Sequence, residues 1–211
     1  MAKIGLDNLY YAPITDDANG YEVYGTPIRI AGAISLDITI NTSETPLSAD
    51  GECVDTVAVF NSGTLSINIA DITSNNLVAL TGGRIDKNGV LIQTGESTPK
   101  PVAIGFRAKK ADGTYRYVWL YRVVFTFPAS NYSTKGDMIN IIPETLTGKI
   151  YRRKKTDGQG TNPWQVGFEP TPLGSLKGLS QTVDLNSLQA AWFSHVYEPD
   201  EKRSNIAQEI L

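Results

Sequence analysis

Residues 114–127, TYRYVWLYRVVFTF, decide the fold, because bulky side chains occupy every second position of this stretch. A period of two places alternate residues on one face of a β-strand. At about 3.3 Å per residue the strand extends roughly 40 Å, about twice the usual length, so we expect a bulge or an extension beyond one compact domain. The alternate positions that we predict to be core residues are Tyr117, Trp119, Tyr121, Phe125 and Phe127. The positions between them are partly apolar, so we expect both faces of the strand to be covered.

Strand patterns also dominate the rest of the chain. Apolar residues alternate with polar ones in 28–40 and 57–69. Asp112-Gly113 separates two such patterns, which predicts a β-hairpin. Further turn candidates of the same kind are Asn19-Gly20, Asp50-Gly51, Asn88-Gly89 and Asp157-Gly158. Many short antiparallel connections favour a mainly-β fold, an antiparallel sandwich or barrel.

Two segments have helical signals instead. Thr73 can cap a short helix that ends at Gly82, with Ile72 and Leu77 as its hydrophobic staple. A second helix is predicted after Asp184, where Leu185, Leu188, Trp192 and Val196 recur on one helical face before Pro199.

These signals divide the chain into four parts. Residues 1–155 are predicted to form the β-sandwich domain, and 156–182 a Gly- and Pro-rich excursion anchored by Trp164 and Phe168. Residues 183–199 are predicted to be a C-terminal helix packed on the domain, and 200–211 a flexible polar tail.

Composition limits the possible functions. The 211 residues are 41% hydrophobic and 19% charged, with net charge −3 and pI near 5.2, which disfavours a conventional nucleic-acid binder. No apolar run approaches the roughly 18 residues that span a bilayer, and the N-terminus lacks a secretory pattern, so we expect a cytoplasmic chain. One basic run, residues 152–155, is interpreted as a solvated strand end, with contact to an acidic neighbour as the alternative.

Few residues could support catalysis. Cys53 and His195 are the sole cysteine and histidine, too few for a tetrahedral zinc site. Ser194 precedes His195 on the predicted helix, where adjacent side chains diverge and share a proton poorly. The sequence also lacks phosphate-loop and nucleophile-elbow motifs. We therefore expect no enzyme activity, no cofactor and no metal.

Several stretches carry a family resemblance. KIGLDNLYYA at 3–12, PVAIGF at 101–106 and the Lys-Gly-Asp run at 135–137 are similar, in this order, to major tail tube proteins of long-tailed bacteriophages. The likeness covers about residues 1–155. It implies a β-sandwich subunit with one flanking helix, six copies of which close into a ring, and rings that stack into the tail tube of the virion.

The resemblance also implies partners. They are the chain itself, a tape-measure protein, tail terminator and tail tip proteins, and double-stranded DNA in transit without specific binding, with assembly in the host bacterial cytoplasm. Elementary geometry agrees, because a channel wide enough for a DNA duplex needs more strands than one chain supplies. Several copies, each lending about four strands, can close such a channel and pair their sheet edges. The hairpin at 101–127 is a candidate for its lining.

Two segments are candidates for ring stacking. One is the long polar loop at 41–55, with Thr45, Pro46, Leu47, Asp50 and Gly51. The other is an N-terminal arm with Tyr10 and Tyr11. Flexible solvent loops are the alternative interpretation.

The aromatic content leaves a second function class open, a carbohydrate-binding β-sandwich module or adhesin. Exposed Trp164 or Tyr132 would serve as its sugar platform. A glycosidase built on a pair of carboxylates is the third possibility.

Overall fold

The computed structural model describes residues 3–16, 18, 20–49, 52–128, 143–170 and 185–199. Strands make up 52% of the chain, and most of them join one large antiparallel sheet, so the mainly-β prediction is confirmed. The strands are β1 (Lys3–Asp16), β2 (Glu22–Tyr24), β3 (Ile28–Ile30), β4 (Ala33–Ala49), β5 (Glu52–Ile69), β6 (Arg84–Ile85), β7 (Leu91–Ile92), β8 (Val102–Lys110), β9 (Tyr115–Phe125), β10 (Glu144–Tyr151) and β11 (Gln165–Phe168). The helices in the described residues are α1 (Ser74–Thr81) and α2 (Leu185–Ala191).

The large sheet has the strand order β2-β1-β8-β9-β10-β5-β4, with β3 also pairing β1 and β11 also pairing β9. Strand β9 lies at its centre. Its first edge pairs with β8, and its second edge pairs with β11 over residues 117–120 and with β10 over 122–125. Strands β6 and β7 form a separate small hairpin. Strands β1 and β4 lie far apart in the strand order, yet their Cα atoms approach within 8 Å, so the sheet curls.

Strand β9 contains the bulge that its length predicts. Val102 of β8 opposes Val123, but Ile104 opposes Leu120, so β9 has one extra residue between these pairs. A bulge reverses the alternation of side chains along a strand. Tyr121 therefore lies on one face of the sheet, whereas Val123 lies on the other. The prediction of a single aromatic face is wrong beyond Tyr121, because a strict period of two ends at the bulge.

Each face of the sheet has its own apolar cluster. We call the larger cluster the inner core; its buried members include Leu9, Tyr11, Ile30, Leu65, Ile67, Ile69, Leu80, Val102, Ile104, Phe106, Val118, Leu120, Val123, Phe125, Leu146 and Ile150. The cluster on the opposite face is the outer core, formed by Ala12, Ala103, Tyr117, Trp119, Tyr121, Trp192 and Val196. Strands β8 and β9 contribute to both clusters, which confirms that both of their faces are covered.

Four of the five predicted core aromatics of β9 are buried, namely Tyr117, Trp119, Tyr121 and Phe125. Phe127 is an exception, because 45% of its surface is exposed. Strand β9 ends at Phe125, so Phe127 lies beyond the sheet that would cover it. Its assignment to the core strand is therefore corrected.

Local signals predicted the short helix and the central hairpin. The Thr73 side chain accepts a hydrogen bond from the Asn76 backbone nitrogen at 3.4 Å, and Gly82 ends α1 in the left-handed region with φ 80°. A Cβ at Gly82 would lie 2.3 Å from the Thr98 carbonyl oxygen, so only glycine fits. In the hairpin between β8 and β9, Gly113 has φ 83° and the Asp112 carboxylate accepts from the Thr114 nitrogen at 3.0 Å. Both predictions are confirmed.

The C-terminal helix is shorter than the predicted 183–199, because α2 ends at Ala191. The Ser194 nitrogen and Oγ both donate to the Ala191 carbonyl oxygen, at 3.0 and 2.7 Å, and so form a turn. The Trp192 carbonyl oxygen accepts from the side chain of Trp119, which occupies the acceptor that a continuing helix would use. The predicted capping residue, Asp184, lies outside the described residues.

The predicted excursion at 156–182 is partly strand. Residues 165–168 form β11, which continues the edge of β9 where β10 ends. Its two aromatics are anchors, as predicted: Trp164 stacks on Phe60 with centroids 4.8 Å apart, and Phe168 stacks on Trp192 at 5.6 Å. Residues 171–182 lie outside the described residues.

Candidate assembly surfaces

Strands β4 and β5 extend well past the rest of the sheet. Strand β10 pairs β5 over residues 63–69 only, whereas the pairing of β4 with β5 continues to Ala49 opposite Glu52. Residues 42–49 and 52–60 therefore form a two-stranded ribbon, which we call the arm. Its eight-residue β4 strand reaches about 26 Å at about 3.3 Å per residue. The predicted loop at 41–55 is thus corrected to a β-hairpin, since the backbone register pairs 42–49 with 52–60.

The arm contains most of the predicted stacking residues. Thr45, Pro46 and Leu47 lie on its β4 strand, opposite Val57, Thr56 and Asp55 respectively. Asp50 and Gly51 lie outside the described residues, between the paired residues Ala49 and Glu52.

At the root end of the arm, where side chains are described, most residues are exposed. Thr42, Ser43 and Ala58 are exposed, and Val59 exposes 44% of its surface. A lone two-stranded hairpin is marginally stable in water, and unpaired strand edges are templates for further pairing. A ribbon of this kind gains stability from a partner strand or surface.

The root of the arm is firmly attached to the subunit. Phe60 stacks on Trp164 with an interplanar angle of 2°. Arg152 donates to the Phe60 carbonyl oxygen and lies over the Phe60 ring, 5.7 Å from its centroid. A Cβ at Gly63 would approach the Ile150 side chain to 3.1 Å, so β5 and β10 pack closely there. The arm thus projects from a fixed base.

Tyr10 and Tyr11 do not belong to a free N-terminal arm, because β1 pairs with both β3 and β8 at these positions. Tyr11 is buried in the inner core and its hydroxyl donates to Asn76 Oδ1 at 3.3 Å. Burial raises the pKa of Tyr11. Tyr10 stacks on Phe193 at 4.8 Å. The Tyr11 ring is consequently not available to a neighbouring copy.

The basic run at 152–155 contacts acidic side chains of its own chain. The Arg153 guanidinium is buried, 3.8 Å from Glu198 and 4.9 Å from the centre of the Tyr121 ring. Lys155 also pairs with Glu198, and Lys154 Nζ lies 2.7 Å from Asp16. The alternative prediction, contact with an acidic neighbour, therefore holds for Arg153, Lys154 and Lys155. Arg152, in contrast, is exposed.

Glu22 organises the backbone beside this run. Its carboxylate accepts from Arg122 at 2.8 Å and from the Lys154 and Lys155 backbone nitrogens at 2.6 and 3.3 Å. Its side chain is 1% exposed. The sequence does not predict the burial of Glu22. It is one of 22 acidic residues in the chain and lies in a strand of three residues, so no local pattern indicates that it is buried.

A groove opens at the root of the arm, on the face of the sheet opposite the inner core. It has a volume of about 400 Å³ and is lined by Asn61, Arg122, Val124, Tyr151 and Arg152. Tyr151 is exposed, and Lys149, which opposes Val124 across β9 and β10, is exposed beside it. The groove is thus basic, with an aromatic ring at its side.

The structure places Ser194 Oγ 3.0 Å from His195 Nδ1, closer than the sequence predicted. The reason is that helix α2 ends at Ala191, so the two residues lie in a turn. Ser194 Oγ also donates to the Ala191 carbonyl oxygen, which commits its proton to the backbone. Among the described residues no carboxylate is hydrogen-bonded to His195, and no three metal-ligating side chains cluster.

In the described part of the chain, neither helix has the length and apolar character needed to cross a membrane. No protein-family model and no curated protein matches this chain.

Proposed function

We propose that this chain is a structural protein of the virion of a long-tailed bacteriophage, the major tail tube protein. Its copies close into hexameric rings, and the rings stack into the tube through which DNA passes into the host. The observation that carries the proposal is the arm, a β-ribbon that extends past its own sheet. The resemblance of residues 1–155 to tail tube proteins supports the same function.

The arm supports assembly on physical grounds. Apart from the Phe60 carbonyl oxygen at the root, which accepts from Arg152, the arm pairs with no other described strand, so its outer edges have unused donors and acceptors. Joining such edges between copies satisfies these groups and removes a risk of uncontrolled aggregation. A ring of several copies also supplies the many strands that a channel wide enough for DNA requires.

The channel lining has to come from strands with a free face. The hairpin at 101–127 does not qualify, because β8 and β9 are buried on both faces. The parts of β4 and β5 inside the sheet, where Asp37 and Thr39 are exposed, become the candidate for the lining. The net charge of −3 suits a channel that lets DNA slide without specific binding.

The proposed partners are other copies of the chain, a tape-measure protein during assembly, terminator and tip proteins at the ends of the tube, and double-stranded DNA in transit.

Carbohydrate binding is less well supported. One face of the Trp164 ring is covered by Phe60, and the aromatics of β9 are buried. Tyr132 lies outside the described residues.

Negative-stain microscopy of the concentrated purified protein, alone and with phage assembly partners, tests the proposal. We expect rings or tubes. The matched variant replaces residues 43–59 with Asn-Gly, which retains Thr42 opposite Phe60 and hence the root. It is expected to fold with a similar melting temperature but to remain a monomer. A wild-type chain that stays monomeric under all these conditions, or that binds glycans as a monomer, would overturn the proposal.

A further inference from the structure

The charges of the arm all have one sign. Between residues 41 and 62 the sequence contains Glu44, Asp50, Glu52 and Asp55 and neither lysine nor arginine. Such a segment repels itself and other acidic surfaces, so it favours a basic partner surface.

The groove at the root of the arm has the opposite sign. Arg122 is already paired with Glu22, but Arg152 forms no ion pair with any described carboxylate, and neither does the adjacent Lys149. Tyr151 and Val124 add apolar surface between these cations. Arginine beside an exposed tyrosine is a composition that protein interfaces favour.

The arm of one copy cannot place its tip in its own groove. Asp55 is six residues along β5 from Asn61, which lines the groove, so about 20 Å separates them at about 3.3 Å per residue. That distance is more than twice the Debye length of about 8 Å at physiological ionic strength. The acidic residues near the tip can therefore reach such a groove only on another copy.

We propose that the arm of one copy docks in the groove of the next, with its carboxylates against Arg152 and Lys149. The inference rests on the proposed function, since it assigns the partner surface of the assembling arm. The two surfaces differ, so the contact is head-to-tail and each copy offers both halves of it. Such a contact repeats from copy to copy and does not stop at a dimer.

The single cysteine of the chain provides the test, because Cys53 lies on the arm. A second cysteine in the groove, introduced as Tyr151→Cys, can be joined to it by oxidation of the assembled protein with diamide. Cys53 lies ten residues along β5 from Gly63, which is near Tyr151, or about 33 Å at about 3.3 Å per residue. A disulfide needs Cα atoms within about 7 Å, so the bond can form only between copies.

We expect a ladder of dimers, trimers and larger species on a non-reducing gel, because each copy links to two neighbours. Val124→Cys tests the same groove and keeps the Tyr151 ring. The control is Val90→Cys, which places the second thiol on the exposed β6–β7 hairpin. It should give less than a tenth of the linked material.

The outcomes separate the two proposals. Tubes that form without groove-specific linkage, or with equal linkage at Val90→Cys, overturn the docking inference and leave the tube function intact. Linkage that stops at a dimer overturns the head-to-tail geometry. If wild-type protein forms neither rings nor tubes, the proposed function itself fails.

A charge exchange tests the electrostatic part. Arg152→Glu combined with Lys149→Glu should reduce the assembled fraction at least tenfold in about 0.15 M salt, where opposed surface charges still interact over about 8 Å. Glu52→Lys with Asp55→Lys on the same chain should restore most of it, because both residues lie about 20 Å or more along β5 from the groove. Unchanged assembly in the first double variant, or no recovery in the fourfold variant, would contradict the inference.

Discussion

Strand β9 is paired along both edges and covered on both faces, whereas the described strands of the arm are paired only with each other. Both elements are long antiparallel strands, yet one is embedded in the subunit and the other projects from it. Burial of apolar side chains is the main stabilising contribution to folding. We therefore assign the stability of the subunit to the surroundings of β9, and its capacity to assemble to the arm.

The largest expected effect is at Trp119, the fully buried ring at the centre of β9. Trp119→Ala should lower the free energy of unfolding by about 3–5 kcal/mol, because it leaves a cavity and removes the hydrogen bond to Trp192. Denaturant unfolding followed by fluorescence or circular dichroism measures the change. A loss below about 1 kcal/mol would contradict the assigned role of β9.

The next effect is at Glu22, which holds Arg122 beside the bulge of β9. Glu22→Gln keeps the shape but removes the charge, so we expect a loss of about 2 kcal/mol from an arginine without its buried partner. The control is Asp16→Asn, which breaks an exposed pair with Lys154 and should cost less than about 1 kcal/mol. Equal costs would show that burial at Glu22 is unimportant.

Tyr121 on β9 and Tyr24 on β2, whose ring centroids lie 6.0 Å apart, form a matched pair. The Tyr121 hydroxyl donates to the Tyr197 carbonyl oxygen at 2.9 Å, whereas the buried Tyr24 hydroxyl has no hydrogen-bond partner among the described residues. Tyr121→Phe should lower the free energy of unfolding by about 1 kcal/mol. Tyr24→Phe should leave it unchanged or raise it. The reverse order would contradict the assigned contact of the C-terminal segment with β9.

Stability in acid should depend on Glu169, which follows β11 and pairs with Lys110 and Arg116 beside the β8–β9 hairpin. Hydrogen bonds from Lys110 and Arg116 lower the pKa of Glu169. Its stabilising contribution is then complete above the unfolded-state pKa of about 4.3 and is lost as the pH falls through the lower, folded-state pKa. Between pH 5 and pH 3 the free energy of unfolding should fall more for wild type than for Glu169→Gln. The difference between the two decreases should be less than about 1 kcal/mol. Parallel pH profiles would contradict this.

The smallest effect on the subunit is expected in the arm. Val59→Ala should change the free energy of unfolding by less than about 0.5 kcal/mol, whereas Val123→Ala on β9 should cost about 2 kcal/mol. Hydrogen exchange of the arm amides should be fast in the free subunit and slow in the assembled protein. Equal exchange in the two states would contradict the proposed pairing of the arm between copies.

Local signals were read correctly from the sequence. The caps of α1 at Thr73 and Gly82, the turn at Asp112 and Gly113, and the bulge implied by the length of β9 each depend on residues that are close in sequence. The sequence predicts a loop where the structure has the arm, because the polar residues resemble loop composition and only the register with β5 shows that they are paired. The groove escaped prediction for a similar reason, since its lining comes from three separate strands and the segment that follows β10.

The sequence by itself determined the β-rich class, the ends of α1, the central hairpin and the acidic character of the arm, because propensity, capping and charge act within a few residues. The tertiary structure decided which face each part of β9 presents, how far the arm projects, and why Glu22 and Arg153 are buried. Those outcomes depend on partners far apart in the chain, such as Arg122 and Glu22, which are 100 residues apart. A local pattern cannot specify such a partner, because its position is set by the packing of the whole sheet.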